Sequence, residues 1–268
     1  MLEIKNLTKV YPDGTVALRQ VSFTVEAGEF LVIIGLSGSG KSTLLRCINR
    51  LIDPTEGEIL WDGVDVTAAE PEGLRRIRRQ IGMVFQQFNL VRRSSVLTNV
   101  LAGRLGYVSP WQSLLHRFPA GDREMARKAL ARVGISDQAR KQARELSGGQ
   151  QQRVGIARAL MQQPRMILAD EPVASLDPVL AHSILGYLEE LNQQDGITVL
   201  CSLHYLDLVQ RYSTSVIGLR EGRVVYRGSR EDIRAMTDEQ FKEIYGEEAV
   251  RVSVGPSEAA EGGRRDGA

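Results

Sequence analysis

With 268 residues, 43% of them hydrophobic and 25% charged, the chain has the composition of a globular protein able to bury a sizeable core. Its 34 Lys plus Arg against 33 Asp plus Glu leave a formal charge of +1, which gives no electrostatic footprint for nucleic acid and removes it from the expected partners. No apolar run approaches the roughly 18–20 residues of a bilayer span, and Met1–Lys5 lacks the pattern of a secretory signal, so the expectation is a cytoplasmic chain that meets a membrane only through a protein partner.

Residues 2–25 alternate apolar and polar positions (Leu18, Val21, Phe23, Val25) around the turn signal Pro12-Asp13-Gly14, which predicts antiparallel strands. The run Phe30 to Ile34 leads through glycines into a helix-like segment, Ser42 to Leu51. Arg75, Arg76, Arg78 and Arg79 read as the solvated side of a helix whose apolar side is Leu74, Ile77 and Ile81. Residues 88–163 are mainly helical in pattern, with apolar faces on Arg127 to Val133 and Val154 to Leu160, and are expected to form a helical subdomain inserted into an α/β core. Two more strand-sized runs follow: Met166 to Ala169, ending at Asp170-Glu171-Pro172, and Ile197 to Ser202, ending before His204. Apolar residues at consecutive positions suit strands covered on both faces, as in a parallel sheet. Val216 to Leu219 and Val224 to Tyr226 flank Glu221-Gly222, a hairpin signal, and Ser229 with Asp232 suits the cap of a short helix. The expectation is one domain over residues 1–250, followed by a disordered tail at 251–268 that is rich in Gly, Glu, Ser and Arg. Cys47 and Cys201 sit in apolar segments and read as small buried hydrophobes rather than as a disulfide or metal pair.

The chemistry begins at Gly35-Leu36-Ser37-Gly38-Ser39-Gly40-Lys41-Ser42-Thr43, a phosphate-binding loop pattern with a strand before it and a helix after. Glycines let backbone N–H groups turn inward around phosphates, and the helix N-terminus adds partial positive charge. Lys41 suits the β- and γ-phosphates of ATP, and the Ser42 hydroxyl suits Mg²⁺. A glycine-rich turn without a ligand is the alternative, and the full pattern in its full context weighs against it. Such a loop does not by itself separate kinases, GTPases, motors and transport ATPases.

Leu146-Ser147-Gly148-Gly149-Gln150, followed by Gln151 to Leu160, resembles the signature sequence of the ATP-binding-cassette family. Ser147 and two glycines at a helix start also make a second anion site on physical grounds, although an ordinary helix cap would account for Ser-Gly-Gly alone. The family's other landmarks appear in order. Asp170 ends a buried apolar strand, where it suits the Mg²⁺ shell, and adjacent Glu171 is placed to orient or polarise a water. By resemblance, Gln86 is the glutamine that senses Mg²⁺ and the γ-phosphate, Ser175-Leu176-Asp177 touches the opposite subunit, and His204 hydrogen-bonds the γ-phosphate. Many members carry an acidic residue directly after that histidine, whereas this chain has Tyr205, with Asp207 further on. Tyr11 resembles the aromatic on which adenine stacks, with Val16 beside it; a core or hairpin tyrosine is the other reading.

The resemblance, which covers residues 2–245, implies a P-loop core with an N-terminal antiparallel β subdomain and an inserted helical signature subdomain. It also implies ATP and Mg²⁺ as ligands, and a head-to-tail homodimer in which each signature completes the partner's site. One cassette without a span or a long heptad arm suits an importer with separate permease subunits, held at the cytoplasmic face of a bacterial membrane and fed indirectly by a substrate-binding protein. A non-transport regulator is the alternative from another class. Phe85 to Tyr107 and the insert Ser109 to Gly121 resemble the ATP-binding subunits of bacterial phosphonate importers; importers of phosphate, phosphite or polar amino acids share every catalytic motif and stay open. In the insert, Trp111, Leu114, Leu115 and Phe118 make one apolar face at helical spacing, suited either to the helical subdomain itself or to a helix of a permease.

Overall fold

The structure, a computed structural model, describes residues 1–109, 111 and 118–246. Leu114, Leu115 and the expected tail at 251–268 therefore lie outside the described residues. Strands β1 (Leu2–Val10) and β2 (Val16–Val25) form the expected antiparallel pair, and β4 (Glu56–Trp61) and β5 (Val64–Asp65) extend it into a four-stranded sheet of order β2-β1-β4-β5. The sequence analysis identified neither β4 nor β5. Glu56 and Glu58 interrupt the apolar pattern of β4, which enters the sheet through backbone pairing with β1.

The second sheet has the order β10-β9-β3-β8-β7-β6, comprising β3 (Phe30–Ile34), β6 (Ile81–Val84), β7 (Met166–Ala169), β8 (Thr198–Ser202), β9 (Ser215–Arg220) and β10 (Arg223–Ser229). Neighbours from β9 through β6 pair in parallel, and only the β9–β10 hairpin is antiparallel. Period-2 alternation divides β3 between two cores. Phe30, Val32 and Ile34 face one that continues into the helical region, while Leu31 and Ile33 face one shared with the antiparallel sheet and with α1 (Lys41–Ile48). With both faces covered, every residue of β3, β6, β7 and β8 is buried, which is why their sequences read as continuous apolar runs.

Helix α2 (Pro71–Gln80) starts on a proline and stops one residue short of Ile81, which opens β6 instead of lining the helix's apolar side. Of the arginines of α2, Arg75 and Arg76 are exposed as expected, whereas Arg78 and Arg79 are half-buried. Arg78 donates from Nε to the Asn49 carbonyl at 3.0 Å, and Arg79 lies over the Tyr107 ring, with Arg104 over the same ring at 3.8 Å. A run of charges thus serves as packing, because long guanidinium stems cover apolar surface while their planar heads stack.

The helical region contains α3 (Val96–Leu101), α4 (Ala120–Arg132) and α5 (Gly148–Leu160). Its buried residues, including Val100, Leu130 and Val154, belong to the same core as Phe30 and Ile34. Of the apolar insert face, Phe118 packs against that core while Trp111 is 75% exposed. Helix α6 (Pro178–Asp195) has Asp177 as its N-cap and ends at Gly196 in the left-handed conformation. The chain continues through α7 (Leu206–Tyr212), α8 (Arg230–Arg234), where Ser229 and Asp232 form the expected capping box, and α9 (Asp238–Tyr245). Among the described residues no helix is long and apolar enough to cross a membrane.

Candidate active site

Parallel pairing places the carboxyl ends of β3, β8, β7 and β6 along one edge of the sheet. The register aligns Ile33 with Ser202, Ala169 with Cys201 and Val84 with Ala169. The residues after each strand therefore line up side by side: Gly35 after β3, Asp170 and Glu171 after β7, His204 just beyond β8, and Gln86 just beyond β6. Ligands of open α/β sheets bind at such an edge.

The phosphate loop is held by two glycines, Gly35 and Gly40, that no other residue could replace without movement. Gly35 (φ +146°) and Gly40 (φ +107°) occupy backbone conformations foreign to L side chains. A Cβ at Gly35 would lie 2.2 Å from the Leu219 carbonyl oxygen, and one at Gly40 would lie 2.5 Å from that of Ala17. The loop thus presses against β9 and β2, and α1 starts directly after it with no side chain over its first N–H groups. Lys41 is 3% exposed and donates from Nζ to the Gly35 and Leu36 carbonyls, both at 2.9 Å, with Glu171 Oε1 3.8 Å away. Burial pulls its pKa below that of an ordinary lysine, and the Glu171 and Asp170 carboxylates pull in the other direction.

Ser42 donates from Oγ to Asp170 Oδ1 at 2.6 Å. Arg46, one helical turn beyond Ser42, reaches Asp170 Oδ2 at 3.2 Å. Asp170 is 1% exposed, so both oxygens of a buried carboxylate are matched by donors. Glu171 adopts a left-handed backbone (φ +45°), and its N–H donates to Ser202 Oγ at 2.8 Å. Its carboxyl meets His204, whose Nε2 lies 2.6 Å from Oε1. The two neighbouring carboxylates thus have different partners, Ser42 and Arg46 for Asp170 and His204 for Glu171. His204 bonds to Glu171 rather than to Tyr205 or Asp207.

Other expected site residues are more peripheral. Tyr11 brings its hydroxyl 3.2 Å from Thr43 Oγ1, so the turn between β1 and β2 is tied to the phosphate loop. Gln86 is exposed between β6 and the helical region, and Val16 is half-buried at the start of β2. Ser147 and Gln150 form a reciprocal capping box at the start of α5. Beside it, the positions of a Cβ on Gly148 would lie 3.6 Å from Leu176 and 3.7 Å from the Phe88 ring. Asp177 Oδ1 accepts the Leu180 N–H at 2.9 Å. Ser147, Gln150 and Asp177 bond within their own helix starts and not to Lys41 or Glu171. The sequence analysis gave no role to Arg46, Ser202 or Arg158: Arg46 and Ser202 lie outside its motifs, and Arg158 falls in the stretch that follows Gln150; only the one-turn spacing of Arg46 from Ser42 was a usable signal.

A buried hydroxyl–carboxylate pair fits a hard divalent cation. Among the described residues no three His, Cys, Asp or Glu groups gather to cage a metal.

A phosphate cradle at the switch edge of a parallel sheet, with an ordered carboxylate beside it, defines a P-loop nucleotide hydrolase. The family profile described as ABC transporter matches residues 18–174. "Phosphonates import ATP-binding protein PhnC" of Shouchella clausii (strain KSM-K16) is 53% identical over 246 residues, covering 92% of this chain and 91% of that protein. The protein of the same name from Staphylococcus aureus (strain USA300) is 53% identical over 245 residues, covering 91% and 94%. Among solved structures, the dimeric post-hydrolysis state of the ATP-binding cassette MJ0796 bound to ADP and Pi matches with a TM-score of 0.75 at 37% identity, covering 86% of this chain and 99% of that one. The chain belongs to the ABC transporter family, as its ATP-binding and ATP-hydrolysing subunit. The MJ0796 cassette is dimeric in that structure, and cbiO1 of Clostridium perfringens is part of the ABC transporter complex cbiONQ.

Proposed function

We propose that this chain hydrolyses ATP to drive a phosphonate importer, as a homodimer on the cytoplasmic side of a bacterial membrane beneath integral permease subunits that a binding protein supplies. The observation that carries the cargo reading is 53% identity, across more than nine-tenths of the chain, to proteins named for phosphonate import.

In this reading the N–H groups of Gly35 to Thr43 and the start of α1 receive the β- and γ-phosphates, and Lys41 turns its three donors from the loop carbonyls toward phosphate oxygens. Ser42 and Asp170 would hold Mg²⁺ with help from Gln86, and an ion bound there would supply positive charge against the phosphate oxygens. Glu171 accepts a hydrogen bond from the attacking water and takes its proton as the new O–P bond forms; the bond from the γ-phosphorus to the bridging oxygen breaks, and its electron pair leaves with ADP. His204, 2.6 Å from Oε1, keeps the carboxyl aimed at that water and reaches the γ-phosphate. Adenine stacks on Tyr11 beside Val16. Ser147, Gly148, Gly149, Gln150 and Asp177 serve the partner's nucleotide, so ATP has its highest affinity for the closed dimer and hydrolysis removes that preference.

The test is uptake of labelled methylphosphonate, with labelled phosphate as control, by source cells lacking this chain and by cells given back wild type or Glu171→Gln. The expected outcome is loss of methylphosphonate uptake alone, restored by wild type alone. Unchanged methylphosphonate uptake in the deleted cells overturns the cargo and leaves the hydrolase.

A further inference from the structure

The chain's own charges at the sheet edge fall into two pairs. Lys41 Nζ lies 3.8 Å from Glu171 Oε1, and Arg46 Nη2 lies 3.2 Å from Asp170 Oδ2. The pairs differ in what else holds the cation. Lys41 is buried and also bonded to the Gly35 and Leu36 carbonyls. The Arg46 side chain is 44% exposed, and among the described residues its guanidinium bonds to Asp170 alone. Arg46 can therefore swing into water at the cost of one bond, whereas the carboxylate of Asp170 is fixed under cover.

Ser42 and Arg46 stand four residues apart on α1, so they share one face of the helix and reach the same carboxylate. Ser42 Oγ gives its only proton to Oδ1 and keeps its lone pairs for a metal, while Arg46 sets its charge against Oδ2. A divalent cation drawn to that hydroxyl and carboxylate meets a positive charge already in place, and an arginine keeps that charge throughout the physiological pH range. Phosphate oxygens change the balance, because they supply both negative charge and some of the six oxygen ligands that Mg²⁺ takes.

We propose that Arg46 is a positioning residue that holds the place of the metal's charge beside Asp170 and swings into solvent when a nucleotide brings the ion, so that Mg²⁺ binding depends on ATP. The same contact keeps Asp170 aligned with Ser42 between turnovers. The inference rests on the role proposed above for Ser42 and Asp170 toward Mg²⁺, and an Asp170 variant separates the two.

The test is binding of Mn²⁺, a paramagnetic substitute for Mg²⁺, to the full chain, read from loss of the free ion's electron paramagnetic resonance signal with and without a non-hydrolysable ATP analogue. Without the analogue, Arg46→Met should bind Mn²⁺ about tenfold more tightly than wild type; with it, the two should agree within about threefold. Arg46→Lys keeps the charge and should stay near wild type. The factor by which the analogue strengthens metal binding thus falls about tenfold, and by reciprocity so does the factor by which Mn²⁺ strengthens analogue binding, which fluorescence titration reads independently. A folded Arg46→Met with wild-type Mn²⁺ affinity in the absence of the analogue overturns the proposal, as does an equal weakening with and without it, which would make Arg46 structural. Arg46→Gln, with a neutral donor for Oδ2, replaces Arg46→Met if that variant does not fold, and the same outcomes decide. Adding Asp170→Asn to Arg46→Met should abolish the tight Mn²⁺ binding; if that binding survives, the metal role of Asp170 fails and the proposal with it. If Asp170→Asn alone weakens Mn²⁺ binding with the analogue while Arg46→Met changes nothing, the metal role stands and only the Arg46 proposal fails.

Discussion

Each charged group at the proposed centre has a partner that sets its direction. Lys41 shares its protons between two loop carbonyls and faces Glu171, so removing it takes away a charge-assisted donor and the tie across the loop. Such bonds are worth about 1.5–3 kcal/mol, and Lys41→Ala is expected to weaken ATP binding by about 10- to 150-fold; fluorescent-nucleotide titration checks this, and wild-type hydrolysis would remove the lysine from the site. Ser202 touches no phosphate in the proposed reading but accepts the N–H of Glu171. Ser202→Ala frees that strained peptide, so kcat should fall about tenfold while ADP affinity is kept, an effect of orientation rather than binding. The thiols behave oppositely to a reactive pair. Burial pushes the Cys47 pKa up to about 12 and raises that of Cys201 as well. The sign follows: a raised pKa leaves both as neutral thiols at pH 7–9, so iodoacetamide should label neither in the folded protein and both in denaturant.

The phosphate loop works as an element because it is pressed between strands of two different sheets. Gly40 and Gly38 separate the sources of that requirement, since both have positive φ but only Gly40 is crowded. Gly38→Ala meets open space and should cost about 1–2 kcal/mol of backbone strain. Gly40→Ala adds a collision with the Ala17 carbonyl and should cost clearly more, with thermal melting and nucleotide affinity both falling further than in Gly38→Ala. Equal losses in the two variants would show that crowding at the loop is relieved by small shifts. The start of α5 is local by comparison, because Ser147 and Gln150 satisfy each other's backbone groups within one turn.

In the proposed reading the chain as a whole carries two half-sites. Lys41, Asp170, Glu171 and His204 converge at the sheet edge, while Ser147 and Asp177 cap helix starts and bond there instead. A dimer related by a twofold axis closes both sites at once. Glu171→Gln keeps the size and hydrogen bonding of the side chain but not its basicity, so it should bind ATP, lose about 10²–10⁴-fold in kcat, and accumulate as a dimer. Light scattering with saturating ATP and Mg²⁺ checks this, and a monomer under those conditions would count against a shared site.

What the sequence determined by itself was whatever depends on neighbours in the chain. The phosphate loop needs its glycines, lysine and hydroxyl within nine consecutive positions, and the caps at Ser147 and Ser229 need partners three residues away, so each was legible before any folding. The doubly covered strands were legible too, because burial on both faces leaves continuous apolar runs. Only the tertiary structure decided the rest. Ile81 reads equally well as the end of an amphipathic helix or the start of a strand, and pairing with Met166 settles it. Arg46 meets Asp170 across 124 residues, and Arg158 meets Phe88 across 70. An arginine's pattern in sequence is the same whether its fork faces water or a buried carbonyl, and the difference arises only when parallel register and helix packing bring the acceptor within 3 Å or so of it.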